Sequence, residues 1–360
     1  MTNVPATIPQ INDVDVQRII DEYGIDVKST SKVSIRDLKH STNVFKVHRP
    51  DLTDKLFIID TPQGRKIACH PHIVGDSLRT LAFEAALEAG KAMSELAKLS
   101  KMDADCIVFE NVLRAAPGYE LYTAFQAITG RKRLRNVWIR PRYMKPSYRG
   151  HDKETSLSLN IVYEDFDELP HDKEIVVLKP DTEATGKTGQ ISIERLVEKC
   201  REVGSSVRTL ILYGFISAPS LKLIDETAKK HGIELMAFAI ENITNLAFNG
   251  YDMTLYGVDE SYWKATGKIR KLGSTVDIET LKRFLPKFTP GSDQPGDWSN
   301  RQTTIHVTKE RSEKGEIKTH LQNSIKLIKS LLEISDFKPW QQKIAERELK
   351  LLSAEFKNQT

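Results

Sequence analysis

Residues 174–189, EIVVLKPDTEATGKTG, indicate the fold more clearly than any other stretch of the chain. The apolar run at 175–178 has the length of a buried strand, and an acidic turn follows it at once. After Gly186 the pattern becomes amphipathic, which predicts a helix over 190–203. A strand that passes through a tight loop into a helix N-terminus presents unpaired backbone N–H groups, and these favour bound phosphate. The sequence therefore predicts a phosphate-binding loop.

Two known phosphate-binding patterns fit this loop to different degrees. Gly186-Lys187-Thr188 matches the last three positions of a P-loop, G-x-x-x-x-G-K-[ST]. The first glycine of that pattern would fall at Asp181, where a carboxylate is unfavourable beside a phosphate. The second pattern is a strand, an acid and A-T-G-x-T, which 184–188 match in full. A chance βα turn that contains a glycine is a third interpretation.

The second pattern resembles the phosphoribosyl diphosphate (PRPP) loop of type I phosphoribosyltransferases, a strand followed by acids and A-T-G-G-T. Three further segments are similar, in order and spacing, to the uracil phosphoribosyltransferase branch. Residues 107–118, IVFENVLRAAPG, resemble its diphosphate-binding I-L-R-A-G turn, and residues 148–170 resemble its Y-R-D-x-E-T hairpin. Residues 246–257, LAFNGYDMTLYG, are similar to its uracil-binding loop. The resemblance covers about residues 70–262.

The resemblance implies a glycosyltransferase that moves 5-phosphoribose from PRPP to a nucleobase-like acceptor, with Mg²⁺ as cofactor. Asp181, with Glu183 as a second acid, would hold the ribose hydroxyls, and Arg114 and Arg149 would complete the catalytic set. The residues implied in PRPP binding are Asp181, Thr182, Glu183, Ala184, Thr185, Gly186, Lys187 and Thr188, together with Arg114 and Ala115. The residues implied in base binding are Gly250, Tyr251, Gly257 and Asp259.

The chain departs from the family pattern at a few positions. Pro180-Asp181 reverses the usual Asp-Pro order, and Lys187 replaces a loop glycine. Thr254 and Leu255 replace the proline and the glycine of the base loop. Because the uracil branch reads its base largely through backbone groups of that loop, these changes imply an altered base pocket.

The composition is that of a globular protein without a membrane or secretory segment. The chain has 360 residues, of which 28% are charged and 39% hydrophobic, and a net charge of +4. This charge is too small to indicate nucleic acid by itself. The three cysteines have no metal-like spacing, and no leader pattern or long apolar run is present. We expect a cytoplasmic protein that forms a homodimer.

The order of predicted elements indicates an α/β fold. Strand and helix patterns alternate from about residue 106 to 239, which predicts a Rossmann-like, mainly parallel sheet with flanking helices and a β-hairpin arm. We divide the chain into an N-terminal extension (1–65), a phosphoribosyltransferase-like core (66–262) and a mostly helical C-terminal extension (263–360). Ligands of such sheets bind at the carboxyl ends of the strands, where each of the similar loops lies.

Two other patterns have weaker chemical meaning. Residues 131–149 carry eight Lys or Arg side chains with interleaved aromatics. Such a run suits a charged flap or dimer arm beside PRPP, and less well an RNA-binding surface of a catalytically inactive, nucleotide-sensing regulator. His70-Pro71-His72 has no third metal ligand spaced to complete a set, so we interpret both histidines as capping or strand-end residues.

Overall fold

Alternating strands and helices form most of the molecule. A computed structural model describes residues 11–114, 118–144 and 158–359. Its helices are α1 (Asp13–Tyr23), α2 (Pro62–Cys69), α3 (Gly75–Leu96), α4 (Leu121–Thr129), α5 (Lys187–Glu202), α6 (Ala218–Lys230), α7 (Glu260–Thr266), α8 (Ile278–Phe284), α9 (Ile317–Ile334) and α10 (Pro339–Asn358). None of these described helices has the length and apolar character needed to cross a membrane.

The strands are named in the same chain order. They are β1 (Thr30–Val33), β2 (Asn43–Val47), β3 (Leu56–Asp60), β4 (Ile107–Val112), β5 (Arg135–Met144), β6 (Ser158–Asp165), β7 (Glu174–Pro180), β8 (Ser206–Ser217), β9 (Glu234–Leu246), β10 (Met253–Thr254), β11 (Tyr256–Val258), β12 (Lys271–Gly273), β13 (Thr304–His306) and β14 (Ser312–Lys314).

One large sheet organises the described residues. Its strand order is β1-β2-β3-β9-β8-β7-β4-β5-β6, with β10 added beside β9. The six strands from β3 to β5 in that order run parallel, whereas β1, β2, β6 and β10 pair antiparallel at the margins. The predicted α/β class, with a mainly parallel sheet and flanking helices, is confirmed.

The sheet is apolar on both faces, as parallel sheets covered by helices require. Successive side chains of a strand point to opposite faces, so neighbours in β7 enter different cores. Leu178 packs with Phe109 and Phe238 in one core. Val177 packs in the other core, which also contains the apolar face of α5.

The predicted hairpin arm is formed by β5 and β6. These strands pair antiparallel from Trp138↔Asp165 to Met144↔Ser158. The first strand lies within the basic stretch 131–149, and the second lies within the hairpin motif 148–170. Arg149, between the two strands, and Ala115 lie outside the described residues, so their predicted roles stay predictions.

The C-terminal extension is largely helical, as predicted. Helices α9 and α10 pack together through Leu321, Ile328 and Leu352, which also meet Val74 of the core. Both terminal segments share sheets with the middle of the chain, since β3 pairs with β9 and β12 pairs with β11. The division at 65 and 262 remains a prediction from the sequence.

A fully buried arginine ties the C-terminal segment to the core. Arg301 donates to the carbonyls of His70 and Ile73 at 3.0 Å and of Pro295 at 2.8 Å. Its side chain has no exposed surface. The guanidinium thereby fixes the loop after α2 against residues 294–301, which cross the carboxyl edge of the sheet.

Candidate functional site

The predicted site loops meet at one edge of the sheet because the strands that precede them are parallel. Arg114 follows β4, residues 181–186 follow β7, and residues 247–252 follow β9. The register Phe109↔Leu178 puts the ends of β4 and β7 at a similar level. A Cβ built on Gly250 would lie 3.4 Å from Cγ2 of Thr185, so the predicted phosphate and base loops lie side by side.

The loop at 181–186 has the form predicted for phosphate binding. Its backbone follows β8, because Asp181 N–H donates to Tyr213 O at 2.9 Å and Glu183 N–H donates to Phe215 O at 3.0 Å. Gly186 has φ of 78° and begins α5 without any side-chain cap. The neighbouring helix α6 is capped by Ser217. Apart from a long contact of 3.4 Å between Lys187 N–H and Thr185 Oγ1, the first N–H groups of α5 are thus open to an anion.

A buried ionic cluster lies directly under this loop. The ammonium group of Lys179 is 3.2 Å from Asp181 Oδ2, 3.5 Å from Glu183 Oε1 and 3.7 Å from Glu110 Oε2. Lys179, Glu110 and Glu183 have no exposed surface, and Asp181 is 4% exposed. One positive charge therefore faces three carboxyl groups away from water.

This arrangement shifts the titration of every member. Burial alone lowers the pKa of Lys179, but the attraction of Asp181, Glu110 and Glu183 raises it above its ordinary value. Burial raises the pKa of Asp181 and of Glu110 against the attraction of Lys179. Burial also raises the pKa of Glu183, to about 8. Lys179 therefore stays charged, and the three carboxyl groups share it as their one cationic partner.

The two predicted acids are placed differently. Asp181 borders a cavity of about 130 Å³ together with Thr182, Ala184 and Tyr251. Glu183 instead points under α5, where a Cβ added to Gly189 would come within 2.5 Å of its Oε1. The prediction that Glu183 holds ribose hydroxyls does not fit this position, because the strand-like pairing of the loop with β8 turns its side chain inward.

The C-terminal segment forms the other wall of that cavity. Residues 295–299 line it opposite the phosphate loop. Trp298 packs on Tyr119 with ring centroids 4.2 Å apart, and the Tyr119 hydroxyl is hydrogen-bonded to Thr182. Residues from the far C-terminal region thus cover the loop that the sequence singles out.

Arg114 lies near two arginines of the hairpin arm, Arg140 and Arg142. It is half-buried at the end of β4. Desolvation, followed by repulsion from Arg114 and Arg142, lowers the pKa of Arg140. Such crowding of positive charge suits a polyanion, and it brings Arg140 and Arg142 of the basic stretch near Arg114, the residue predicted to bind diphosphate.

Of the predicted base-binding residues, Tyr251 is exposed, Gly250 is half-buried, and Gly257 and Asp259 are buried. Tyr251 is 52% exposed, and Gly250 adjoins the phosphate loop. Gly257 is packed against the backbone of Pro290 and Gly291, which leaves no room for a Cβ. Asp259 is 1% exposed and caps α7 while accepting from Phe248 N–H at 2.9 Å. Gly257 and Asp259 therefore shape the loop rather than face the cavity.

Several residues of the site were missed in the sequence. Glu110 and Lys179 carried a usable signal, because a charge inside a strand buried on both faces requires a partner. Tyr119, Trp298 and Asp297 carried no local signal, since their neighbours in the site are far away in the chain.

The residues at the cavity fit a magnesium ion that arrives with phosphate. Asp181 and Asp297 both line it, and Mg²⁺ prefers one or two carboxylates plus phosphate and water oxygens. A larger cleft of about 740 Å³ lies between β9 and the start of α6 and contains Arg49 and Lys222. That cleft is open, includes none of the predicted site residues, and its Arg49 is already paired with Asp51.

Comparisons with known proteins give distant structural likenesses. No protein-family model and no curated protein matches this chain. Similar solved structures include the AQ2163 protein from Aquifex aeolicus, with 16% identity over 54% of this chain and 91% of that chain and a TM-score of 0.39. The adenine phosphoribosyltransferase from Trypanosoma brucei, solved with AMP, pyrophosphate and ribose-5-phosphate, has 12% identity over 56% and 87% and a TM-score of 0.33. The adenine phosphoribosyltransferase from Thermoanaerobacter pseudethanolicus has 19% identity over 45% and 84% and a TM-score of 0.27. These values are too low to assign a family or an activity.

Proposed function

We propose that this chain transfers 5-phosphoribose from PRPP to a ring nitrogen of a nucleobase-like acceptor and releases diphosphate. The observation that carries the proposal is that Thr185 of the phosphate loop lies beside Gly250 of the base loop, next to a helix start without a side-chain cap. A site for a sugar phosphate and a site for a planar base would need to adjoin in this way. The arginines around Arg114 supply the charge that a leaving diphosphate needs.

The reaction breaks the bond between C1 of the ribose and the diphosphate oxygen, which leaves with the electron pair. The acceptor nitrogen forms the new bond to C1 and loses its proton to solvent. In the proposed complex Thr185, Gly186, Lys187 and Thr188 bind the 5′-phosphate. Asp181 binds ribose hydroxyls or Mg²⁺, and Tyr251 stacks on the acceptor. Positioning and charge stabilisation are then the main contributions of the protein.

The test is release of diphosphate from PRPP and Mg²⁺ with a panel of purine and pyrimidine bases. We expect turnover with at least one base, and we expect R114A to lower it by about 100-fold or more, the scale of one lost charge-stabilising donor. R18A, on the exposed face of α1, is the matched control. Absence of turnover with every base, together with absence of PRPP binding in calorimetry, contradicts the proposal.

A second candidate is a regulator that binds PRPP or a nucleotide without catalysis. Two observations favour it. The carboxylate of Asp181 is already paired with the ammonium group of Lys179, and residues 295–299 cover the phosphate loop. Binding of PRPP without turnover would support this function. Binding of RNA that weakens with salt would support its RNA-binding form, through the basic stretch 131–149.

A further inference from the structure

A metal-binding group of side chains lies away from the proposed phosphoribosyl site. His70 follows α2, His72 lies two residues further on, and Glu348 projects from α10. His70 Nδ1 is 2.9 Å from one carboxylate oxygen of Glu348, and His72 Nδ1 is 2.6 Å from the other. One ligand atom from each of the three residues lies within 4.8 Å of the others.

The carboxylate is unusual because it is buried without a strongly cationic partner in contact. The Glu348 side chain is 3% exposed, and its direct partners are the two imidazoles and the His72 N–H. A buried negative charge normally has a positive partner. A bound dication would supply one, and it would replace the protons that the rings now share with the carboxylate.

We propose that His70, His72 and Glu348 bind a divalent transition metal of the Zn²⁺ type. Two imidazoles and one carboxylate are a donor set that zinc uses with a fourth position left to water. Calcium and magnesium prefer all-oxygen sets, so the same chemistry disfavours them. The histidines are 21% and 22% exposed, so the site is open on one side.

Ligation of a metal requires only side-chain movements, because the three ligand atoms already lie within 4.8 Å of one another. Zinc bonds of about 2.0–2.1 Å in a tetrahedral arrangement separate ligand atoms by roughly 3.3 Å. The contacts of 2.6 and 2.9 Å, which go to different oxygens of Glu348, would open by roughly 0.4–0.7 Å, and a ligand pair at the 4.8 Å limit would close by up to about 1.5 Å. The backbone that holds the histidines is fixed, because Arg301 donates to the His70 carbonyl and His320 donates to the Pro71 carbonyl.

A metal at this position would join two distant parts of the chain. His70 and Glu348 are 278 residues apart, and the site lies where α10 meets the end of α2. The metal would thus attach the C-terminal helices to the core. Because only the folded chain brings the three ligands together, zinc should raise the unfolding temperature as its concentration rises.

The test uses the full-length chain after tag removal and treatment with a chelator. We expect one equivalent of ZnCl₂ to bind in calorimetry, and Co²⁺ in its place to give visible absorption of a four-coordinate site. H72A and E348Q should each weaken zinc binding by at least about 10-fold, a lower bound set by the loss of mere second-shell partners. H171A, which removes an exposed histidine, is the matched control.

E348Q keeps the size of the side chain and an acceptor oxygen, so we expect this variant to fold. It therefore tests zinc binding even if H72A does not fold. Circular dichroism of the metal-free variants checks folding. Failure of the folded wild-type chain to retain zinc after dialysis overturns the proposal. Zinc binding that is equally tight in wild type and E348Q also overturns it.

Discussion

At the carboxyl end of β7, the buried ammonium group of Lys179 is the shared cationic partner of three buried carboxyl groups. Lys179 lies between Glu110, Asp181 and Glu183, and none of these side chains has appreciable exposure. Burial of charge is unfavourable unless the partners are close, and removing one partner leaves the others uncompensated. The phosphate loop therefore rests on an electrostatic support and not only on apolar packing.

The variant K179M should destabilise the protein strongly. We expect its free energy of unfolding at pH 7 to fall by about 3–5 kcal/mol, as for other broken buried ion pairs. K230M is the control, because the exposed pair of Lys230 with Glu194 should contribute no more than about 1 kcal/mol. Urea unfolding measures both, and equal losses in the two variants would contradict the electrostatic support.

Glu241 of β9 gives a prediction about pH. It is fully buried with φ of 68°, and burial raises its pKa from 4.5 to about 8. The folded protein thus keeps this proton up to about pH 8, whereas the unfolded chain releases it near 4.5. The stabilisation is complete below pH 4.5 and is lost as the pH rises through 8.

The variant E241Q should remove this pH dependence. Glutamine cannot ionise, so the wild-type free energy of unfolding should fall relative to that of E241Q by up to about 1.4 kcal/mol per pH unit across the window. Urea unfolding of both proteins between pH 5 and 9 measures the difference. If the free energies of unfolding of wild type and E241Q change with pH in parallel, Glu241 is ionised in the folded protein.

Among the helices, α5 and α6 begin at the same edge of the sheet but differ in how their N-termini are capped. Ser217 caps α6 by accepting from Ser220 N–H at 3.1 Å. Gly186 starts α5 with no such cap. An open helix start costs stability, and this is compensated when an anion occupies it.

The variant G186A tests whether that helix start binds PRPP. Gly186 has φ of 78°, and an added Cβ would lie 3.0 Å from Ser220 Cα. We expect G186A to raise the Kd for PRPP with Mg²⁺ by at least about 10-fold, equivalent to about 1.4 kcal/mol. Calorimetry gives both values.

The matched control for this loop is G232A. Gly232 has a similar φ of 70°, but nothing lies within 4 Å of an added Cβ. Both variants should lose about 1 kcal/mol of stability from backbone strain. G186A should lose more than this because its Cβ approaches Ser220, and only G186A should lose affinity. Equal PRPP affinity in the two variants would remove α5 from the binding site.

For helices and strands, the sequence predicts long elements well and short ones poorly. The strand at 175–178 and the helix at 190–203 are visible because their apolar periods extend over enough residues. Strands of three residues such as β12 and β13, and the eight-residue α2, carry too few positions for a period. The inward turn of Glu183 is also hidden, because it depends on hydrogen bonds to β8.

At the scale of the whole molecule, a segment that is distant in sequence covers the phosphate loop. Residues 295–299 line the cavity of about 130 Å³ beside Asp181. Ligand pockets usually have about 300–1,000 Å³, so PRPP needs more room than this cavity gives. The contact of Trp298 with Tyr119 was not predictable, since no local pattern links positions this far apart.

Tryptophan fluorescence should report the movement of this segment. Trp298 is 5% exposed and lies at the cavity, so binding of PRPP with Mg²⁺ should change its emission. We expect the change in wild type and in W340F, and a much smaller one in W298F. If calorimetry detects binding while emission stays constant in all three proteins, the segment does not move.

The place of β3 in the large sheet has a consequence for synthesis on the ribosome. Thr53, just before β3, donates to Leu235, which is 182 residues further along the chain. At about 5–20 residues per second, the first three strands emerge roughly 10–40 s before their partner β9. During that interval β3, with its apolar side chains, has no neighbour on that side. The nascent N-terminal segment is therefore a natural client for chaperones that shield exposed strand edges.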